Sequence, residues 1–324
     1  MVEICPVLYI IVPCYNEEAV LPVTAPIFRE KLRGLTQSGS IAGGSRVLFV
    51  DDGSSDATWD IIRELSEKDE AFCGISQSRN RGHQNALIAG LTEAVDRCDI
   101  TVTIDCDGQD DINAVDEMIK AYHDGCDVVY GVRKTRKTDS FFKRFTAETF
   151  YRIVNSMGGE VVFNHSDYRL MSSRAVKGLL EFEEVNLFLR GMVPMVGFKS
   201  TSVGYDRQER MAGKSHYPLS KMMAFAWDGI TSLSTRPIRF ITCLGAVVSL
   251  ASIVGIIWAL TVHTMGDTAW GWSSLVCAMF FIGGVQLLSI GVIGEYVGKI
   301  YLETKHRPRF ILKDTAGLPE KADR

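Results

Sequence analysis

Short apolar runs alternate with helix-like patterns from residue 7 to residue 132. The clearest strand pattern is Ile100, Val102 and Ile104, which alternate with threonines at the period of two that a strand requires. The predicted strands cover residues 7–12, 46–50, 72–76, 100–104 and 128–132. The predicted helices cover residues 18–33, 55–68, 82–96 and 113–123. Such an alternation predicts an α/β fold, in which a parallel β-sheet carries helices on both faces.

The last third of the chain contains two charge-free apolar stretches, residues 240–262 and 272–294. Each is longer than the roughly 20 residues that a helix needs to cross a bilayer. Lysine and arginine residues flank the pair on both sides, whereas the connector 263–271 has neither. By the positive-inside rule, this asymmetry predicts a transmembrane hairpin with both ends in the cytoplasm. The alternative is a pair of fully buried helices in a soluble protein.

The segment that precedes this hairpin has apolar residues at roughly helical spacing between residues 217 and 235. The spacing predicts an amphipathic helix in the membrane interface, and a helix packed on the soluble part is the alternative. The chain is thus expected to divide into four parts: a soluble α/β domain at 1–215, an interfacial helix at 216–239, a two-helix anchor at 240–297 and a cytoplasmic tail at 298–324.

Composition limits the partners and cofactors. The 324 residues carry a net charge of −4, which gives no support to a nucleic-acid partner. The eight cysteines are scattered, without a pair at metal-binding spacing. We therefore expect small buried thiols in a reducing compartment and no structural zinc. Glycines in the two apolar stretches permit close helix packing, which would allow a homo-oligomer.

An acidic cluster stands where the fourth predicted strand ends. Asp105 and Asp107 are separated by one residue, and two carboxylates at this spacing can share one hard cation. Mg²⁺ takes few protein oxygens and keeps positions open for substrate phosphates. Because ligands of open α/β sheets bind at the carboxyl ends of strands, the cluster suits a ligand that carries a diphosphate. Acidic residues in an ordinary surface turn are the alternative.

Two further polar motifs follow the first and second predicted strands. They are Pro13-Cys14-Tyr15-Asn16-Glu17-Glu18 and Asp51-Asp52-Gly53-Ser54-Ser55-Asp56. Tyr15 could contact the ring of a base, and Asp52 could accept a hydrogen bond from a base or a ribose. Either motif alone could be a helix cap, since Asn16 and Asp56 are ordinary N-cap residues. Three polar motifs at strand ends instead predict one binding crevice.

Together these motifs resemble those of the family-2 glycosyltransferases, which have the GT-A fold. The matching residues are 13–17, 50–54 and the pair 105 and 107. Three downstream motifs resemble the polyprenyl-phosphate branch, which includes dolichol-phosphate mannose synthases and bactoprenol glucosyltransferases. They are Ser78-Arg79-Asn80-Arg81-Gly82-His83-Gln84, Asp167-Tyr168-Arg169-Leu170-Met171 and Arg207-x-x-Arg210-x-Ala212-Gly213-Lys214-Ser215. The Gln-x-x-Arg-Trp motif of processive synthases is absent from the sequence, which disfavours a polysaccharide synthase.

The resemblance implies a role for each matching residue. The residues implied to bind the nucleotide are Pro13, Tyr15, Glu17, Asp52 and Asp105. The residues implied to hold Mg²⁺ or Mn²⁺ are Asp105 and Asp107, with Gln109 as a third ligand. The residues implied to bind donor or lipid phosphates are Arg133, Arg207, Arg210, Lys214 and Ser215. Lys214 could instead lie in an exposed linker, and Gly108, where the family more often has leucine, predicts a looser acidic loop.

Asp107, Asp167 and Arg210 are the candidate catalytic residues. Asp167 could act as a base or as an orienting residue, and an ion pair with Arg169 or another neighbour is the alternative. A lipid phosphate has a second pKa near about 6, so at neutral pH it is largely a dianion and a strong base is optional. His83 belongs to a basic cluster before a predicted helix, a setting that suits anions but equally a solvated surface.

The resemblance implies an inverting enzyme that moves one sugar from a nucleotide-sugar, expected to be a UDP-hexose, to undecaprenyl phosphate. We expect a multi-pass protein of the bacterial inner membrane, with its catalytic domain in the cytoplasm and the lipid bilayer as a partner. One alternative is a membrane-anchored glycosyltransferase with another lipid, or a glycan hydroxyl, as acceptor. A second alternative is an idle membrane protein that binds nucleotide-sugars.

Overall fold

The computed structural model describes residues 5–134, 165–208 and 271–320, together with single positions between 238 and 261. The strands in these ranges are β1 Leu8–Cys14, β2 Arg46–Asp51, β3 Phe72–Gln77, β4 Ile100–Thr103, β5 Val128–Arg133, β6 His165–Ser172, β7 Ser200–Tyr205 and β8 Leu312–Ala316. The helices with continuous bounds are α1 Leu21–Gln37, α2 Thr58–Lys68, α3 His83–Ala94, α4 Ala114–His123, α5 Ser173–Leu180, α6 Leu189–Met195 and α7 Trp272–Thr304. All five predicted strands and all four predicted helices of the N-terminal part are therefore confirmed, with shifted ends.

The eight strands form one sheet in the order β7-β5-β6-β4-β1-β2-β3-β8. Strands β1 to β4 are parallel to their neighbours among themselves, and β5 is parallel to β7. Strand β6 is antiparallel to both β4 and β5, and β8 is antiparallel to β3. The five predicted strands therefore all run in the same direction, as expected, but β6 and β8 run opposite to them, so the sheet is mixed and not parallel throughout. The reason is that β6 and β8 both start at the edge where β5 and β3 end, so each runs back along its neighbour.

Helices cover both faces of the sheet, as predicted. All seven residues of β1 are buried. Leu8, Ile10 and Val12 pack on the α1 and α4 side, whereas Tyr9 and Ile11 pack on the α3 side. Burial on both faces is the reason why the central strands are almost uninterrupted apolar runs.

The carboxyl ends of β1 to β5 and of β7 lie at the same edge of the sheet, which also holds the start of β6. The pairing of Val132 with His165, and of Arg133 with Tyr205, aligns these ends. Strand β1 pairs with β2 on one side and with β4 on the other. The chain adds β2 and β3 on one side of β1 and β4 on its other side, so the strand order reverses at β1. Open α/β sheets bind their ligands at such a point. We call this edge the site edge.

The loops that follow β2 and β3 interlock at the site edge. Gly53 has φ of +67°, and a Cβ atom added there would lie 2.5 Å from the backbone carbon of Arg79. Both carboxylate oxygens of Asp52 accept hydrogen bonds, from the amides of Arg81 at 2.8 Å and Gly82 at 2.9 Å. Only glycine combines this backbone conformation with such a close approach.

Helix α7 contains 33 residues and is about 50 Å long at 1.5 Å per residue. Its stretch Phe281–Thr304 is the one helix in the described ranges that is long and apolar enough to cross a membrane, and its most apolar part is not buried. The helix covers the second predicted apolar stretch and continues beyond it. The first stretch falls largely outside the described residues, although each described position between 238 and 261 is helical. The predicted interfacial helix at 217–235 lies outside the described residues.

The residues after α7 return to the sheet. Residues 298–324 were expected to form a tail, but α7 reaches Thr304 and β8 then pairs with β3. Just before β8, the carbonyl of Ile311 accepts a hydrogen bond from the amide of Ser78 at 2.9 Å. Because β7 ends and β8 begins at the site edge, the intervening chain leaves and rejoins the sheet at that same edge.

We expect Gly53→Ala to lower the free energy of unfolding by at least about 2 kcal/mol, because it adds left-handed backbone strain to a backbone clash. The matched control is Gly44→Ala, since a Cβ atom at Gly44 meets nothing within 4 Å. We expect the control to change stability by less than about 1 kcal/mol. Thermal unfolding of both purified variants in one detergent is the measurement, and equal midpoints would contradict the interlocked loops.

Candidate active site

The predicted site residues that the structure describes all lie at the site edge. They are Pro13, Tyr15 and Glu17 after or at the end of β1, Asp52 after β2, Asp105, Asp107 and Gln109 after β4, Arg133 at the end of β5, Asp167 in β6 and Arg207 after β7. Arg210, Lys214 and Ser215 lie outside the described residues, so their roles stay predictions. Residues that are distant in the sequence are thus collected along one line of strand ends.

The loop after β1 leaves the ring of Tyr15 exposed, at 48% of its maximal accessible surface. The neighbouring Asn16 has φ of +54°, and its side-chain oxygen accepts a hydrogen bond from the amide of Ser55 at 2.9 Å. Asp56 accepts from the amide of Thr58 at the start of α2, at 3.0 Å. Asp56, which lies one residue before the N-cap, therefore bonds an amide at the start of α2, whereas Asn16 joins the loops after β1 and β2 beside the exposed Tyr15.

Asp52 is buried and is used by the protein itself. Its two oxygens hold the amides of Arg81 and Gly82, as described above. Burial raises the pKa of Asp52, and the two amide hydrogen bonds oppose that increase. These contacts give Asp52 a role in shaping the loop before α3, and its predicted contact with the nucleoside stays a prediction.

The acidic loop after β4 is held in place by the residues after β7. Gly108 has φ of +69°, and the amide of Gln109 donates to Asp107 Oδ1 at 3.0 Å. The Gln109 side-chain oxygen accepts from the guanidinium of Arg207, and its carbonyl accepts from the amide of Gln208 at 2.9 Å. Gly108 therefore forms a left-handed turn that few other residues would adopt, and the looser loop stays a prediction. The Gln109 side-chain oxygen has two lone pairs, so it could bind a metal through one while it accepts from Arg207 through the other.

Asp110 is a site residue that sequence reasoning missed. It is buried, and one of its oxygens accepts a hydrogen bond from the hydroxyl of Tyr205 at 2.5 Å. The same oxygen lies 3.8 Å from the guanidinium of Arg133, whereas the other is without a hydrogen-bond partner. Burial, together with the negative charge of Asp105, raises the pKa of Asp110 to about 6. The sequence shows several carboxylates in this cluster, but it does not show which of them is buried.

These carboxylates fit a divalent cation that a substrate helps to hold. No group of three or more His, Cys, Asp or Glu residues in the described ranges is arranged to hold a metal by itself. Mg²⁺, however, is commonly bound through one or two carboxylates plus substrate phosphates. Asp105 and Asp107 provide two such carboxylates. Beside them, the unpartnered oxygen of Asp110 indicates an excess of negative charge. The residues present therefore fit Mg²⁺ or Mn²⁺ completed by a diphosphate.

Asp167 lies in a buried ion-pair network. Its Oδ1 is 2.7 Å from the guanidinium of Arg169, and its Oδ2 is 3.0 Å from that of Arg190. Burial alone would raise the pKa of Asp167, but Arg190 and Arg169 outweigh it and hold the pKa well below its usual range. A carboxylate that is so difficult to protonate is a weak base, so these contacts favour the ion-pair alternative. Arg190, on α6, was missed because no sequence motif marks it.

His83 lies between two of the carboxylates of the site. Its Nε2 lies 3.6 Å from Asp105 Oδ1 and 3.7 Å from Asp167 Oδ2. It is the first residue of α3 and directly follows the loop residues whose amides Asp52 holds. Of the predicted basic cluster, His83 therefore faces the acidic site, whereas Arg79 is exposed.

Two family models match the chain. The model described as Glycosyl transferase family 2 matches residues 9–180. The model described as GtrB C-terminal hairpin matches residues 236–300. The first range contains β1 to β6 and most of the site edge, and the second contains most of α7.

Curated relatives match nearly the whole chain. The uncharacterized glycosyltransferase YkoT of Bacillus subtilis is 49% identical over 307 residues, which cover 95% of this chain and 91% of YkoT. The prophage bactoprenol glucosyl transferase homolog of Escherichia coli K12 is 39% identical, with 94% of this chain and 97% of the relative covered. The bactoprenol glucosyl transferase of Shigella phage SfV is 38% identical, with 94% and 97% covered.

We expect Asp167→Asn to destabilise the protein by about 3–5 kcal/mol, because it leaves the buried Arg169 without its pairing charge. The folded-state pKa of Asp167 is depressed, so its stabilisation is complete above the unfolded pKa of about 4 and is lost only at lower pH. The difference between variant and wild type should therefore be constant from pH 5 to pH 8.

The measurement is the free energy of unfolding of both proteins across that pH range, with the exposed Asp124→Asn as the control. A difference that shrinks between pH 8 and pH 5 would mean that Asp167 titrates near neutrality, as a base should.

Proposed function

The chain belongs to glycosyl transferase family 2, and on that premise we propose that it moves one hexose from a nucleotide-sugar to a polyprenyl phosphate. We propose a UDP-hexose as donor and undecaprenyl phosphate as acceptor. The observation that carries the proposal is that the chain segment containing α7 leaves and rejoins the sheet at the site edge. The chain segment with the long apolar helix and the acidic site therefore belong to the same side of the domain. That arrangement suits a water-soluble donor and a lipid-borne acceptor.

The donor half of the site is formed by the loops after β1, β2 and β4. In the proposal, the exposed ring of Tyr15 contacts the base, while Pro13, Glu17 and Asp52 shape the nucleoside pocket. Asp105 and Asp107 are the carboxylates that would hold a divalent cation at the donor diphosphate. When bound, this cation supplies Lewis-acid stabilisation of the leaving diphosphate.

The acceptor half is formed by arginines at the ends of β5 and β7. Arg133 and Arg207 lie beside the acidic loop, bonded to Tyr205 and Gln109 respectively. Guanidinium groups hold phosphate oxygens bidentately, so both can meet the phosphate of the acceptor. Arg210, Lys214 and Ser215 complete this half in the proposal.

The reaction that fits these residues needs no proton transfer. The acceptor phosphate oxygen attacks the anomeric carbon, the bond from that carbon to the diphosphate breaks, and the configuration inverts. A lipid phosphate monoester has a second pKa near about 6, so at neutral pH it is already largely a dianion. The depressed pKa of Asp167 supports this reading. Asp167 lies next to Asp105, with His83 between them, and its low pKa makes it a poor base.

The location we propose is the bacterial cytoplasmic membrane, with a two-helix anchor and the catalytic domain in the cytoplasm. The match of residues 236–300 to the hairpin model supports the anchor, as does the unburied apolar surface of α7. The basic residues that flank the two apolar stretches support the cytoplasmic orientation. The names of the Escherichia coli and phage SfV relatives support the lipid acceptor.

We expect Asp107→Ala to lower transfer by at least about a hundredfold, since a metal ion stabilises the leaving group by several kcal/mol. The matched control is Asp111→Asn, which removes a carboxylate from the same loop outside the proposed metal site and should keep transfer within a few-fold of wild type. Sugar transfer in detergent with Mg²⁺ or Mn²⁺ supplied is the measurement. Activity of the Asp107 variant within a few-fold of wild type would remove the metal assignment.

We expect undecaprenyl phosphate to accept the sugar while free sugars and water-soluble glycans do not. A panel of UDP- and GDP-sugars with each acceptor, followed by product mass, tests this and identifies the donor. The control acceptor is undecaprenol, which has the same chain without the phosphate and should not react. Efficient transfer to a soluble glycan, with none to the lipid phosphate, would favour the hydroxyl-acceptor alternative, and binding without any transfer would favour an idle protein.

A further inference from the structure

The last turn of α7 is bonded to the catalytic domain through Glu303. One carboxylate oxygen accepts hydrogen bonds from the amide of Asn186 at 2.9 Å and from its side-chain nitrogen at 2.8 Å. The other accepts from the amide of Val185 at 2.9 Å. The charge-free part of the helix ends at residue 294, and Glu303 lies roughly 13 Å further along the axis. The helix therefore docks on the domain beyond its charge-free part, at the loop between α5 and α6.

The docked loop leads directly into the active site. The amide of Leu189, at the start of α6, donates to Gln84 Oε1 at 2.7 Å, one residue after His83. The next residue, Arg190, is paired with Asp167. A continuous path thus runs from Glu303 through the 185–190 segment to the network beside the acidic loop.

Glu303 is not needed to keep the tail attached to the domain. Strand β8 is paired with β3 independently, the guanidinium of Arg309 donates to the carbonyl of Phe182, and Arg97 Nε donates to the carbonyl of Pro319 at 2.8 Å. Loss of the Glu303 contacts would therefore loosen the start of the 185–190 segment while the sheet and the tail stay in place.

We propose that Glu303 is a positioning residue: by clamping the amides of Val185 and Asn186 to the end of α7, it holds Arg190 against Asp167 in the active site. The activity of the site then depends on the docking of the membrane helix. The dependence of activity on docking rests on the proposed function, whereas the clamp itself does not.

The test compares Glu303→Gln with Glu295→Gln in the full-length protein in detergent. Both substitutions remove one negative charge from α7, but only the first removes a group bonded to the domain. We expect hydrogen exchange at the amides of Val185, Asn186 and Leu189 to become about tenfold faster in Glu303→Gln, since bonds to a charged acceptor are strong. Exchange in β1, in β8 and throughout the Glu295 variant should be unchanged. Unchanged exchange at these three amides would overturn the clamp, whatever the enzyme's substrates are.

Turnover tests the catalytic consequence. We expect Glu303→Gln to lower kcat about tenfold while leaving the KM for the nucleotide-sugar unchanged, because the loops after β1 and β2, which form the nucleoside pocket in the proposal, lie on the other side of the acidic loop. In an Arg190→Ala background, Glu303→Gln should have no further effect on kcat, because both changes act through the same pair.

Three results would overturn the positioning role. They are an unchanged kcat, losses that multiply in the double variant, and a loss of kcat that only follows a loss of folded protein. A wild-type protein that transfers no sugar would count against the proposed function, and the exchange result would then decide the clamp alone.

Discussion

The buried guanidinium of Arg169 is the constraint on which the site depends. Its side chain is 2% exposed within β6, and a charge in such a position must be paired to be tolerated. Asp167 provides the pairing charge and also contacts Arg190 on α6 and His83 on α3. Because His83 also lies 3.6 Å from Asp105, this carboxylate brings together a strand, two helices and the acidic loop. The ion pairs thus define the geometry of the site, and the reacting groups are placed around them.

The acidic loop shows the opposite situation, in which charge is left unbalanced. Asp110 is buried close to Asp105, one of its oxygens lacks a hydrogen-bond partner, and its pKa is raised to about 6. Local rules of stability are commonly broken at functional sites and compensated elsewhere. Tyr205 and Arg133 compensate for the buried charge of Asp110 on one side of this carboxylate. A divalent cation between the carboxylates and a diphosphate would compensate for it on the other.

The sequence predicts the N-terminal half of the fold because its strands are apolar and alternate with amphipathic helices. The later strands give weaker signals: β6 contains the buried Arg169, and three residues of β7 are exposed. The antiparallel directions of β6 and β8 could not be read from local patterns, since direction depends on where the chain re-enters the sheet. The site residues that follow strands were predictable because strand ends converge. Arg190 and Asp110 were not, because their roles arise only from distant neighbours.

The two outer strands explain how such a site could work at a membrane surface. The eight-stranded sheet is about 34 Å wide at about 4.8 Å per strand interval. The segment that contains α7 begins after β7 at one end of this width and finishes at β8 at the other. Glu303 adds an attachment at the loop before α6. A single tether would let the domain tilt, whereas attachments spread over the width of the sheet restrict its orientation. The lipid phosphate that we propose as acceptor is confined to the headgroup plane, so the site edge could meet it only if that orientation is kept.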